Sequence, residues 1–300
     1  MLSPTDFRRD GFALVTGVFS PEEISRLRET VVEVIAAKEA AGAIDRVDSP
    51  TGVVRIGKGD LLSTPELRPV LLDRRVLRVI RLILEGDPVY FGDSSVRIGS
   101  TQGHWGWHRD NADANDFAGP DWNDPFPLVR CALYLQDHSR HSGGLGIRPR
   151  SHRIVDRTPR AELVPSAPGD LVVWDLRVLH AGEVLRYRPL RSLAIRPRYL
   201  GVLNRLGLRV PEERERMAMF MTFGLTGHHL DHFIEYLATR EYARAAWSAS
   251  RVDSEALEAA SRAGLEVREV PPYYSIATVQ KRSAEGQARA LGQVVQLVDG

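Results

Sequence analysis

Apolar residues near the start of the chain recur at helical spacing. Ile24, Leu27, Val31, Val34 and Ile35 would line one face of a helix. Ser20-Pro21-Glu22-Glu23 directly before them is a capping box: Ser20 can accept from the main chain at Glu23, and the Glu23 side chain can reach back. Pro21 falls at the first helical position, where a missing N–H costs nothing. A second helix is predicted from Arg74 to Glu85, with Val76, Leu77, Ile80, Ile83 and Leu84 inward and Gly86 as its stop. Phe12-Ala13-Leu14-Val15, ahead of the first helix, reads as a short strand.

From about Pro88 to Leu200 the pattern changes to short apolar runs punctuated by Gly, Pro and Asp. Val89 to Phe91, Ser95 to Ile98, Leu128 to Leu135, Gly144 to Ile147, Asp170 to Trp174 and Leu193 to Tyr199 are the clearest strands. Short strands with turn signals between them predict a jelly roll or sandwich. Asn111 to Pro127 is too polar and broken for a strand and reads as a long loop, a common form for a lid. Its aromatics, Phe117, Trp122 and Phe126, would either contact a substrate or pin the loop to the barrel. Helical periodicity returns at Glu212 to Phe223, Asp231 to Tyr236 and Glu255 to Ala263. The expected architecture is a mostly β core with flanking helices (α+β). It is one domain over residues 1–300, helical to about 87, β from about 88 to 200, and helical again from 201.

Composition narrows the function. Forty basic residues against 39 acidic ones give a net charge of +1, no footprint for a nucleic acid or an anionic membrane. No apolar run approaches the roughly 20 residues that span a bilayer. The opening Met1 to Asp6 lacks the basic and apolar regions of a signal peptide, so a cytoplasmic protein acting on a small molecule is expected. The single cysteine, Cys131, sits among apolar neighbours and reads as a buried structural thiol. Oligomeric state leaves no mark in the sequence.

Six of the nine histidines lie between His104 and His180. In an extended segment, His108 and Asp110 point to the same side, so an imidazole and a carboxylate can take adjacent positions on one metal. A distant histidine would complete a two-His-one-carboxylate set with open positions for a cosubstrate and O₂, an arrangement suited to Fe(II). His180 fits, with small Ala181 and Gly182 leaving room beside it. His138, His141 and His152 sit near turn residues and read as surface or capping histidines. His228 and His232 have i, i+4 spacing but no apparent third ligand, so a place on a helix surface is expected for them and for His229. Arg191 follows His180 by eleven residues, and its planar fork could grip the far carboxylate of a dicarboxylate cosubstrate. Arg186, Arg188, Arg196 and Arg198 compete for that role.

Several motifs in order resemble the phytanoyl-CoA dioxygenase family of Fe(II)/2-oxoglutarate-dependent oxygenases. They are Phe7-Arg8-Arg9-Asp10-Gly11-Phe12, Phe19-Ser20-Pro21-Glu22-Glu23, Trp107-His108-Arg109-Asp110, Ala132-Leu133-Tyr134-Leu135-Gln136-Asp137 and Ser142-Gly143-Gly144. Arg148-Pro149-Arg150-Ser151-His152 follows, with Arg150 where the family usually has glycine, then Gly169-Asp170, His180 and Arg191. The resemblance implies a double-stranded β-helix (jelly-roll, cupin-like) barrel, with Fe(II) on His108, Asp110 and His180. It also implies 2-oxoglutarate on Arg191, with O₂ as the other cosubstrate. Gln102, or alternatively Thr101 or Arg97, would face cosubstrate or substrate. Related halogenases carry a small residue at the carboxylate position, so Asp110 implies hydroxylation rather than chlorination, with desaturation, epoxidation and ring closure left open. No basic cluster stands out to grip a coenzyme A phosphate. Four carboxylates, Asp113, Asp116, Asp121 and Asp124, suggest a hydroxyl-rich or amine-bearing substrate such as a sugar-like or natural-product intermediate. Two rival readings are a cupin-like metalloenzyme of another class, which would not use Arg191, and a jelly-roll binding module with His108 and His180 as core residues.

Overall fold

The computed structural model describes residues 3–49, 52–99, 106–153, 160–188, 197–213 and 215–270. Helix α1 (Pro4–Asp10) leads into β1 (Phe12–Val15). The capped helix α2 (Pro21–Ala40) is followed by a hairpin, β2 (Ile44–Ser49) and β3 (Gly52–Gly57), then α3 (Arg68–Leu71) and α4 (Arg74–Leu84). The barrel strands are β4 (Val89–Tyr90), β5 (Ser94–Gly99), β6 (Leu128–Tyr134), β7 (Gly144–Ile147), β8 (Glu162–Leu163), β9 (Leu171–Asp175) and β10 (His180–Val184). Helix α5 (Pro197–Arg205) precedes β11 (Arg216–Gly224). Helices α6 (His228–Ala238), α7 (Glu241–Ala249) and α8 (Ser254–Arg262) and the short β12 (Glu266–Val267) complete the described chain.

The large sheet runs β1-β9-β6-β11-β5-β3-β2, with β4 paired to β11 and β12 to β4, and a small sheet runs β10-β7-β8. Alternation along the central strands sorts side chains into two layers. Ala132, Tyr134, Val172, Trp174 and Ala218 fill the space inside the barrel. Cys131, Leu133, Leu171, Val173, Met217, Met219 and Met221 pack outward under the helices. Cys131 is therefore buried as expected, and burial pushes its thiol pKa up. The capping box at Ser20 and the inward face of α4 are also present.

Three expectations fail. Glu212 to Phe223, read as a helix, instead contains β11, hydrogen-bonded between β5 and β6. The Ala- and Met-rich run shows no period-2 signal because both of its faces are buried, so strand pairing overrides local preference. Of the strand predicted over Leu193 to Tyr199, the first residues lie outside the described chain, and Pro197 opens α5 instead. Histidines read as surface or capping residues are buried instead: His138 and His152 at 0% and 3% exposure, and His229, expected on a helix surface, at 3%. His138 accepts from Gln136 Nε2 at 2.9 Å. His152 donates from Nε2 to the Arg8 carbonyl at 3.0 Å. It packs so closely on Gly11, which is left-handed at φ 78°, that a Cβ there would lie 2.3 Å from its ring nitrogen.

Arg150 adopts φ 69°, the left-handed conformation that suits the glycine usual at this turn. An exposed bridge to Asp10 (3.3 Å) and a main-chain bond to the Asp10 carbonyl (2.8 Å) hold it there. Arg150→Gly should therefore change stability by less than about 1 kcal/mol, since relief of the backbone offsets loss of an exposed ion pair. Arg150→Val should cost about 1–2 kcal/mol. Urea denaturation of both variants checks this, and equal losses would contradict it.

Candidate active site

His108 and His180 face each other across an antiparallel bridge. The main-chain N–H of each donates to the carbonyl of the other, both at 2.9 Å. The rings consequently lie side by side, centroids 4.4 Å apart and planes tilted by 52°. Two residues on, the Asp110 N–H donates to the Leu176 carbonyl (2.8 Å), which fixes the carboxylate beneath the two rings. His108 Nε2 lies 3.7 Å from Asp110 Oδ1, and His180 Nε2 lies 3.5 Å from Asp110 Oδ2. One ligand atom from each of the three residues falls within 4.8 Å of the others.

The tautomers follow from the hydrogen bonds. His108 Nδ1 donates to the Gly106 carbonyl (3.1 Å) and His180 Nδ1 to the Val178 carbonyl (3.0 Å). A carbonyl can only accept, so each Nδ1 carries a proton, and Nε2 is the atom that each ring turns toward Asp110. Burial keeps His180 neutral: desolvation, helped by His108, lowers its pKa to about 4 against the opposing pull of Asp110. Burial alone would raise the pKa of Asp110. Arg130, His180, His108 and the Trp174 indole outweigh it and hold the carboxyl at about 2. Two imidazoles anchored through Nδ1 and one ionised carboxylate make a donor set that a borderline divalent cation can take.

Sequence reasoning missed the residues behind this set. Arg130 Nη1 sits 3.1 Å from Asp110 Oδ2, while its Nη2 binds Asp93 at 2.8 Å. Trp174 Nε1 donates to Asp110 at 3.4 Å. Arg130 was detectable as one cation inside the apolar run Leu128 to Leu135. Arg216, which opens β11, was hidden by the helical reading of that segment. It is buried, donates to the Gly143 carbonyl (3.0 Å) and pairs with Glu183 (3.4 Å). Arg191, Gln102, Thr101 and His104 lie outside the described residues.

A cavity of about 730 Å³ opens on His108, Asp110 and His180. Arg97, Tyr134 and Arg216 line it on the barrel side, and Tyr236, Tyr242 and Trp247 of α6 and α7 line the other. Arg97 Nε and the Tyr134 hydroxyl are buried with no hydrogen-bond partner among the described residues. No residue of the 111–127 loop borders the cavity. Its aromatics pin the loop instead: Arg109 lies over Phe117 and Trp122 (5.7 and 5.4 Å), and Arg177 lies over Phe126 (4.6 Å). Its carboxylates also serve the loop: Asp116 accepts from Ala118 N–H and Asp124 pairs with Arg177.

With this centre inside a jelly-roll barrel, the chain belongs to the phytanoyl-CoA dioxygenase (PhyH) family, whose model matches residues 7–186. Members of that family depend on Fe(II) and 2-oxoglutarate and use O₂. The ectoine dioxygenase of Stutzerimonas stutzeri (strain A1501) is 28% identical over 163 residues, covering 51% of this chain and 52% of that relative. The chain thus spans about half the length of the curated relatives it matches. Among solved structures, SnoN, the non-heme alpha ketoglutarate dependent epimerase from nogalamycin biosynthesis, superposes with a TM-score of 0.53 at 16% identity. That alignment covers 73% of this chain and 80% of SnoN. HygX from Streptomyces hygroscopicus, with nickel and 2-oxoglutarate bound, gives a TM-score of 0.51 at 16% identity, over 75% and 88% of the two chains. The shared fold is the expected double-stranded β-helix. No helix among the described residues is long and apolar enough to cross a membrane.

Arg130 neutralises a buried carboxylate, so Arg130→Met should destabilise the metal-free protein by about 3–5 kcal/mol. A bound divalent ion would take over much of that neutralisation, so the loss should shrink in saturating Mn(II). Denaturation with chelator and with Mn(II) tests this, and equal losses in both would uncouple Arg130 from the metal.

Proposed function

We propose that the protein is a non-haem dioxygenase in which His108, Asp110 and His180 hold Fe(II), and which hydroxylates a C–H bond of a small molecule. The overall reaction is R–H + O₂ + 2-oxoglutarate giving R–OH + succinate + CO₂. The observation that carries it is the convergence of two Nε2 atoms and one ionised carboxylate at the mouth of a cavity lined with arginines. Bound iron and cosubstrate supply the oxidising chemistry. The chain positions the reactants and excludes water.

The barrel side of the cavity fits a dicarboxylate. Arg97 and Tyr134 each keep a bare polar atom there, and Arg97 joins no ion pair among the described residues. Arg216 enters from β11, the strand that closes the large sheet between β5 and β6. We assign the far carboxylate of 2-oxoglutarate to Arg216, with Arg97 and Tyr134 beside it. Arg191, favoured by its spacing from His180, is the alternative. On the opposite wall, Tyr236, Tyr242 and Trp247 stand near Asp45 and Lys58. Aromatic surfaces among polar groups suit a hydroxyl-bearing substrate, sugar-like or a natural-product intermediate. Retention of a full carboxylate ligand at Asp110 supports hydroxylation, although SnoN shows that the fold also serves an epimerase.

Succinate release from 2-oxoglutarate, measured with Fe(II), ascorbate and O₂, should depend on His180 and be lost in His180→Ala. Arg216→Ala should raise the KM for 2-oxoglutarate by roughly 10- to 100-fold, about 1.4–2.7 kcal/mol, with Fe(II) binding retained. Arg216→Lys should recover only part, because a point charge cannot replace the fork. If Arg191→Ala raises KM and Arg216→Ala does not, the assignment moves to Arg191. Absence of any 2-oxoglutarate binding would overturn the function.

A further inference from the structure

The loop that follows Asp110 builds a second polar cluster against α6, away from the cavity. Ligand atoms of Asp113, Asp121 and His232 all lie within 4.8 Å of one another. His232 Nε2 is hydrogen-bonded to Asp113 Oδ1 at 3.1 Å, a contact that a cation between the two atoms would replace. The loop itself occupies the other carboxylate oxygens. Asp113 Oδ2 accepts the Asp121 N–H (3.0 Å), and Asp121 Oδ2 accepts the Asp113 N–H and Asn111 Nδ2 (both 3.1 Å). Gly119 closes around the first carboxylate, since a Cβ there would come within 2.3 Å of Asp113 Cγ. Each aspartate is thereby oriented with Oδ1 outward, as supporting hydrogen bonds orient metal-binding carboxylates.

An independent observation points to a ligand. Asp121 is wholly buried, yet its Oδ1 makes no hydrogen bond among the described residues. His229, 3% exposed, turns an equally unpartnered Nδ1 toward it at 3.7 Å, beyond hydrogen-bond reach. No arginine or lysine pairs with either carboxylate among the described residues; Arg177 reaches Asp121 only at its main-chain carbonyl (3.2 Å). A buried carboxylate with a bare oxygen is costly, and a cation between these atoms would remove that cost.

We infer that Asp113, Asp121 and His232, with His229 able to take a fourth position, form a second divalent-cation site that clasps the 111–127 loop to α6. Two carboxylates balance the charge of a dication, and the mixed nitrogen and oxygen set suits zinc. The site shares no residue with His108, Asp110 and His180. Because α6 also carries Tyr236 to the cavity wall, the cation would hold that wall in place relative to the loop.

The test uses the full chain, stripped with chelator, and zinc alone as the probe. His108→Ala/His180→Ala disables the first centre. This double variant should still bind one zinc per chain by calorimetry, and zinc should raise its unfolding midpoint. Adding Asp121→Asn or His232→Gln should weaken that binding by at least 10-fold and abolish the midpoint shift, with circular dichroism unchanged. His232 is partly exposed, so its variant keeps the test valid if Asp121→Asn fails to fold. The inference is overturned if the double variant binds no zinc, or binds it equally well with His232→Gln. Neither result bears on the dioxygenase reading, which rests on the other three ligands.

Discussion

Two main-chain hydrogen bonds between His108 and His180 hold the centre together. They join the segment after β5 to the start of β10, residues far apart in sequence, at the one register that sets both imidazoles on the same side. A slip of one residue would turn a ring away, because side chains alternate along extended chain. The Nδ1 bonds to Gly106 and Val178 then remove the remaining freedom of each ring. Backbone geometry thus pre-organises the three proposed ligands, which would lower the ordering cost of metal binding.

Charge is the second constraint. Asp110 is buried, and without Arg130 and Trp174 the cost of its ionisation would push it toward the protonated acid, a poor ligand. Arg130 is in turn balanced by Asp93, and Arg216 by Glu183. Arg97 stands apart: burial, with repulsion from Arg216 and Arg130, lowers its pKa. An anionic cosubstrate beside Arg97 would relieve that repulsion.

Much of this was legible in the sequence, for local reasons. The His108-x-Asp110 pair, the Ser20 capping box and the inward face of α4 each depend on a few neighbouring residues whose spacing dictates geometry. What escaped notice depends on long-range pairing. β11 reads as a helix because its partners, β5 and β6, are far away in the chain, and its two buried faces erase the alternation. With it went Arg216 and the central strand of the large sheet. His138 and His152 look like surface residues beside turns, but the turns fold inward. The clustering of His229 and His232 with Asp113 and Asp121 joins a loop to a helix over a hundred positions later, which no local spacing can encode. The family match ends at residue 186, whereas β11 and the α6–α7 wall of the cavity lie beyond it. The three candidate ligands therefore lie in the family-matched part of the chain, while Arg216 and the α6–α7 wall lie beyond it.

A crystal structure grown anaerobically with Fe(II) and 2-oxoglutarate tests the central claim most directly. The account predicts metal density bonded to His108 Nε2, His180 Nε2 and one Asp110 oxygen at about 2.0–2.2 Å, with the main-chain pair between the two histidines unchanged. Iron held through an Nδ1 atom, or bound without His180, would contradict it.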